Sequence, residues 1–187
     1  MSSDNNKANV STGKPKIGGA VYRAPAGTSV PTSATATLHT AFTCVGYISD
    51  AGVVNDNSLT VREIKAWGGD TVLVADNGQT DTFQFAMIES MKPEVLKAYY
   101  GDAAVTGTIA SGLTVTANSV PLSESAWVID MELNGNVKKR LTIPDGKVSA
   151  KGSITYKDDT VISYPLTITA LPDASENTHY DYMVKAS

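Results

Sequence analysis

The chain has 187 residues, of which 42% are hydrophobic, 18% charged and 7% aromatic; that is the length of one domain with enough apolar material for a core. Fifteen bases against nineteen acids leave a net charge of −4, which argues against a protein that coats nucleic acid with basic charge. Apolar runs of only a few residues and a polar start lead us to expect neither a membrane span nor a secretory signal. A single cysteine, Cys44, can form neither an internal disulfide nor a multi-thiolate metal site, as in chains that fold in a reducing cytoplasm.

Residues 1–17 are polar and without apolar period, and read as an N-terminal arm that is ordered only if something docks it. Ala20-Val21-Tyr22-Arg23 is a short strand closed by Pro25-Ala26-Gly27, and residues 26–41, mostly Ala, Thr and Ser, form a surface connection. Residues 42–48 then read as a core strand. Next, residues 59–67 and 71–74 lean toward β structure around a Gly68-Gly69-Asp70 turn, whose glycines permit the positive φ of a tight hairpin. Leu59, Val61 and Trp67 share one parity with Glu63 and Lys65, the patchy pattern of a projecting flap over about 50–80. Residues 80–88 form a cleaner strand, with Phe83, Phe85 and Met87 on one face and Thr82 and Gln84 on the other.

The spacing predicts one short α-helix over about 92–100, with Pro93 in its first turn, Glu94 beside it and Gly101 at its stop. Val95, Leu96 and Tyr99 should face a sheet. Trp127, Ile129, Met131 and Leu133 alternate with Val128, Asp130 and Glu132, and Asn134-Gly135-Asn136 turns the chain into a second strand, 137–143. Pro144-Asp145-Gly146 reads as a further turn, and 148–156 should pair with 161–171 across Asp158-Asp159. Pro165 pushes that last strand toward a sheet edge or a bulge. Residues 172–187 read as a C-terminal arm. Many strands, one helix and no 20–50-residue repeat predict a single mainly β domain over 1–187, a β-sandwich or barrel with a flanking helix.

Groups for catalysis are scarce. His39 and His179 read as exposed or interface histidines, and Cys44 as a buried, inert thiol. Phosphate-cradling glycine loops and zinc-binding His-Glu-x-x-His are absent. Asp158-Asp159 suits a turn, and Asn55-Asp56-Asn57 lacks the glycine and distal glutamate of a calcium loop. Asn9-Val10-Ser11 is an incidental glycosylation match. We therefore expect no enzyme, no cofactor and no metal. The charge pattern says more: residues 137–151 hold five bases and one acid, whereas residues 158–187 hold five acids and one base. These are either two solvated faces or surfaces that meet between copies, head to tail; a nucleic-acid patch fits the acidic total least.

Several segments, in order, resemble the major tail proteins of long-tailed, non-contractile bacteriophages. They are Gly18-Gly19-Ala20-Val21-Tyr22-Arg23-Ala24-Pro25-Ala26-Gly27-Thr28, Gly46-Tyr47-Ile48-Ser49-Asp50-Ala51-Gly52 and Ile64-Lys65-Ala66-Trp67-Gly68-Gly69-Asp70. Thr82-Phe83-Gln84-Phe85, Glu89-Ser90 and the helical segment follow, then Ile143-Pro144-Asp145-Gly146-Lys147-Val148, Ile154-Thr155-Tyr156-Lys157-Asp158-Asp159 and Asn177-Thr178-His179-Tyr180. The resemblance implies a tail-tube fold that polymerises as hexameric rings stacked into a hollow tube, the conduit for the genome. It implies self-association, with tape measure protein and phage DNA in the lumen and tail terminator and distal tail proteins at the ends. It implies no membrane partner, a place in the virion tail, and synthesis in the host cytoplasm. Subunit contacts are then expected at Tyr22, at Trp67, Gly68, Gly69 and Asp70 of the flap, at Lys138, Lys139, Arg140, Asp158 and Asp159, and at Tyr180 and Tyr182. A lumen of neutral Thr and Ser with acidic side chains would let DNA slide, whereas a basic wall would hold its phosphates. A carbohydrate-binding or adhesin-like sandwich is the other reading; it requires a concave patch of exposed aromatics, which Trp67, Tyr99, Tyr100 and Tyr182 could supply.

Overall fold

The computed structural model describes residues 5–186; residues 1–4 of the N-terminal arm and residue 187 of the C-terminal arm lie outside them. Eleven strands and one α-helix are assigned among the described residues, so the fold is mainly β, as the alternation predicts.

The centre is a hairpin of β8 (Ser125–Leu133) and β9 (Val137–Lys151), joined at Asn134-Gly135-Asn136, where Gly135 and Asn136 both take positive φ. On the β8 side lie β2 (Val21–Pro25) and then β3 (Thr43–Cys44). On the β9 side lie β10 (Tyr164–Ala170), β5 (Thr71–Met87) and β4 (Val54–Lys65). The segment after β3 closes the sheet on itself: Val45 N–H donates to Val21 O at 3.0 Å, Ser49 N–H to Ala86 O at 2.8 Å and Ile88 N–H to Tyr47 O at 3.0 Å. The result is a small barrel filled by Val21, Val45, Phe83, Phe85, Met87, Trp127, Ile129, Ile143 and Ile168. Phe85 meets Trp127 edge to face at 5.8 Å. Residues 42–48 are therefore a seam rather than the expected core strand; only Thr43–Cys44 pair as a strand, while Phe42 and Val45 are buried.

The helix α1 (Pro93–Tyr100) buries Val95, Leu96, Ala98 and Tyr99 against the core, and Tyr99 Oη donates to Gly152 O at 2.7 Å. Beside it stands a small separate hairpin, β6 (Val105–Thr108) with β7 (Gly112–Val115). On the opposite side of the sheet, the connection 26–42 covers Ala24, Ala126 and Val128 with Val30, Leu38 and Phe42.

Three turn or edge expectations are corrected. Pro144-Asp145-Gly146 is no turn, because β9 runs straight through it: Ser125 pairs with Gly146 and Trp127 with Ile143, so two residues, Pro144 and Asp145, oppose the single Ala126 as a bulge. Glycine is needed at 146 for close packing, since a Cβ there would lie 2.8 Å from Ile168 and 3.0 Å from Trp127. Pro165 is not on an edge strand, because β10 lies between β9 and β5. It sits at the start of β10, where β9 has ended, and a register irregularity follows between Thr167 and Ile168. Residues 148–156 and 161–171 likewise pair over a shorter span than expected, Leu166 to Ala170 against Lys151 to Gly146.

Both arms return to their own chain. β1 (Lys14–Pro15) pairs with β8 at Glu132 and Met131, and β11 (Tyr180–Lys185) pairs with β9 from Thr142 to Val137. They flank the far end of the central hairpin on its two sides.

Candidate assembly surfaces

The outward face of the sheet is divided in two. Its β2–β8 half lies under the 26–42 connection, but its other half is bare and carries short polar side chains. Along β10 the pattern alternates strictly, with Leu166 and Ile168 buried and Pro165, Thr167 and Thr169 half-buried on the outside. Cross-strand pairing carries this face onward, because directly opposed residues point the same way: Thr167 faces Gln84 and Thr169 faces Thr82, and Thr82 in turn faces Asp56 of β4. From β9, Ser149 joins them; Thr169 Oγ1 donates to Ser149 Oγ at 2.8 Å and Ser149 Oγ to Thr167 O at 3.4 Å. Lys147, opposite Thr169, is the base on this face, and its Nζ lies 3.2 Å from Glu124 Oε1.

The second surface is the β4–β5 hairpin. β10 holds β5 only from residue 82 onward, so the two strands beyond it project for about ten residues, roughly 35 Å at strand rise. A register shift between Leu59 and Val61, opposite Gly78, bends the ribbon. Val61 and Val74 share one face with Glu63 and Asp76; Ile64, Leu73 and Ala75 share the other with Arg62. Leu59, Val61, Val72, Leu73 and Val74 are 49–62% exposed, and Trp67 at the tip is wholly exposed. Neither face is a conventional solvent face. An isolated two-stranded ribbon is at best marginally stable in water, so this one carries apolar surface that only another body can bury.

At the root of the hairpin a buried carboxylate fixes its exit. Asp81, 1% exposed, accepts from Asn55 Nδ2 at 2.7 Å and from Thr178 Oγ1 at 2.7 Å, and His179 Nδ1 lies 2.5 Å from its Oδ2. The His179 ring stands edge-on to Phe83 at 5.3 Å. This cluster ties β4, β5 and the entry to β11 together.

Of the sequence-expected contact residues, Trp67, Gly68, Gly69 and Asp70 lie at the hairpin tip. Tyr22 is half-buried on β2, with its hydroxyl donating to Gly19 O at 3.2 Å. Arg140 is spent inside the chain: it is 4% exposed, paired through Nε and Nη2 with Asp130 at 2.6 and 2.9 Å, and donates Nη1 to Ser33 O and Ala36 O. Lys139 Nζ meets Asp181 at 2.8 Å across the β9–β11 pairing, so part of the basic and acidic stretches neutralise each other within one copy. Lys151 stands 5.2 Å from the Tyr99 ring centroid. Lys138 pairs with Glu132 and Val184 through its backbone and is exposed. Asp158 and Asp159 form the expected turn, which the Lys157–Thr160 bridge closes; Lys157 and Thr160 both donate to Asp159 and lower its pKa. Tyr180 and Tyr182 stack at 6.2 Å, and Tyr180 Oη donates to Asp173 at 2.6 Å, which lowers the Asp173 pKa and raises that of the phenol. The aromatics named for a glycan platform do not assemble: Trp67 is at the hairpin tip, Tyr99 is on the buried face of α1 and Tyr182 lies on β11.

Sequence reasoning assigned no role to Ser149, Thr167, Thr169 or Asp81. For the threonines the signal was the period-two alternation with Leu166 and Ile168; for Asp81 no local pattern exists, because its partners come from residues 55 and 178–179. Among the described residues no group of three His, Cys, Asp or Glu side chains could hold a metal ion, and no helix is long and apolar enough to cross a membrane.

Comparison with known proteins adds the decisive observation. The profile of a family described as phage tail tube protein matches residues 4–186. The chain belongs to that family. This tail tube protein is thus a structural component of a phage tail, of a non-enzymatic kind. No curated protein matches it. Among solved structures it is similar to the anti-feeding prophage cap, the AFP tube terminating cap, determined by cryo-EM, at 7% identity over 92% of each chain with a TM-score of 0.42.

Proposed function

We propose that this tail tube protein polymerises as hexameric rings stacked into the hollow tube of a long, non-contractile phage tail, and that the tube conducts the genome into the host. Its bare face around Thr82, Gln84, Ser149, Thr167 and Thr169 lines the lumen. The observation that carries this reading is that half of the sheet's outer face is uncovered yet nearly neutral. It presents hydroxyls and one amide, with Asp56 beside them and Lys147 already paired with Glu124. Such a wall offers DNA no cluster of cations, so it releases few counterions and does not hold the duplex. The exposed apolar hairpin supplies the complementary requirement, a surface to be buried between copies. Tape measure protein and then DNA occupy the lumen, terminator and distal tail proteins close the ends, and synthesis takes place in the host cytoplasm.

Negative-stain electron microscopy of the purified protein over a rising concentration series, with light scattering alongside, tests the assembly. Rings with six-fold symmetry or hollow tubes are the expected result; a monomer at every concentration, including in the presence of the tail initiator complex, would overturn it.

A further inference from the structure

Beside the barrel seam lies a groove of about 890 Å³, with Ala20, Val21, Ile48, Val53, Ile129 and Met131 among its walls. One wall is glycine backbone held close by design of the sequence. At Gly46 φ is +83°, and a Cβ would fall 2.5 Å from the carboxylate of Glu89, which accepts Tyr47 N–H at 2.8 Å. At Gly19 a Cβ would fall 2.7 Å from the Tyr22 hydroxyl.

We propose that the hairpin tip of one copy docks in this groove of a second copy, with Trp67 as the anchor. The proposal rests on the tube reading and names the partner surface within it. A chain cannot fill its own groove, because Gly52 and Val53 of the groove stand at the foot of the hairpin, some 35 Å from its tip. Tip and groove are different surfaces, so each copy has one of each to offer and the contact repeats head to tail, around a ring or from ring to ring, instead of ending at a two-fold dimer. Chemistry matches as well. Tryptophan brings about 150–250 Å² of surface to bury, and the groove is mainly apolar. The Ile64–Leu73–Ala75 face bears one base, Arg62, and no acid. At the groove the charges Lys16–Asp130 and Lys92–Glu89 are already paired, at 3.3 and 3.4 Å. Asp50 lines the groove exposed and, like Arg62, makes no ion pair among the described residues. Arg62 thus meets a free carboxylate on docking, which sets the register.

The sequence resemblance gains a physical meaning here. Gly18-Gly19-Ala20-Val21, Gly46-Tyr47-Ile48-Ser49-Asp50-Ala51-Gly52 and Glu89, distant in the chain, all line the groove, whereas Trp67-Gly68-Gly69-Asp70 is the hairpin tip.

The native Cys44, half-buried and not the fully buried thiol that the sequence suggests, lies in the groove wall, so one added thiol tests the contact. Asp70→Cys keeps Trp67 and places a thiol at the tip. After assembly and treatment with a short bismaleimide, the docking predicts a ladder of dimers, trimers and higher species in denaturing gels, abolished by adding Cys44→Ser. Tubes with no ladder, or dimers that persist in Cys44→Ser and therefore join tip to tip, would overturn the docking while leaving the tube reading intact. Failure of the unmodified protein to assemble under any condition would remove both. As a second arm, Trp67→Ala and Tyr47→Ala, both at exposed positions, should leave the monomer's Tm unchanged and raise the concentration needed for assembly at least tenfold. Assembly at the parent concentration in both variants would count against the docking.

Discussion

Asp81 is a carboxylate withdrawn from water without a lysine or arginine beside it. Its compensation comes from Asn55, Thr178 and His179, three donors reached only when the hairpin foot and the C-terminal segment come together. Leaving those donors without an acceptor should cost about 1–3 kcal/mol. Asp81→Ala is therefore expected to lower the unfolding free energy measured in urea by that amount and to speed amide exchange in 180–185; unchanged exchange there would show that β11 does not depend on the cluster. Asp145, in the β9 bulge, gives a prediction of opposite sense. Burial raises its pKa, Glu124 adds to the rise, Lys147 opposes it, and its Oδ1 has no partner. An acid with a raised folded pKa costs stability once ionised. The protein is then more stable below the ordinary carboxylate range and loses that margin as pH rises through the raised pKa. Asp145→Asn should raise Tm at pH 7 and remove the loss of Tm that Asp145 contributes as pH rises out of the acid range, so that the variant gains on the parent with rising pH, as differential scanning calorimetry at stepped pH would show.

At the scale of elements, the bare face depends on β10 holding its alternation. Thr167→Lys with Thr169→Lys adds two cations to it without touching Leu166 or Ile168. Tubes should still form, whereas DNA release should slow by roughly tenfold or more at low salt and recover as salt rises, since phosphate contacts weaken with ionic strength. Release unchanged at low salt would place these residues away from the genome. Much of this element level was legible in the sequence. The Pro93–Gly101 signals bounded α1, Gly68-Gly69 marked the flap, and Asn134-Gly135-Asn136 marked the central hairpin. What failed were residues with two physical uses. Gly146 reads as a turn glycine but serves close packing against Trp127 and Ile168, and Pro144 reads as a stop but sits in a bulge. Arg140 reads as surface charge, yet its partner Asp130 and the carbonyls of Ser33 and Ala36 come from other parts of the chain. Periodicity reports which residues share a face; it is silent on whether another segment covers that face. The 26–42 connection covers one half of the sheet and leaves the other open, and this difference separates the candidate lumen wall from ordinary core.

For the whole molecule, the surfaces have different tasks. Its core closes as a barrel, β1 and β11 flank the far end of the central hairpin, and its unsatisfied features are a neutral sheet face and an apolar hairpin. Bases that could have formed a cationic wall are paired or buried within the chain: Lys139 with Asp181, Arg140 with Asp130, Lys147 with Glu124. The unequal tip and groove favour a repeating head-to-tail assembly, as rings and stacks of rings, over a two-fold dimer. The most direct measurement of this account is a cryo-EM reconstruction of tubes grown from the purified protein. The account predicts six-fold rings whose inner wall carries Thr82, Gln84, Thr167 and Thr169, with each hairpin crossing to a neighbouring copy. An inner wall formed instead by α1 or by the 26–42 connection would contradict it.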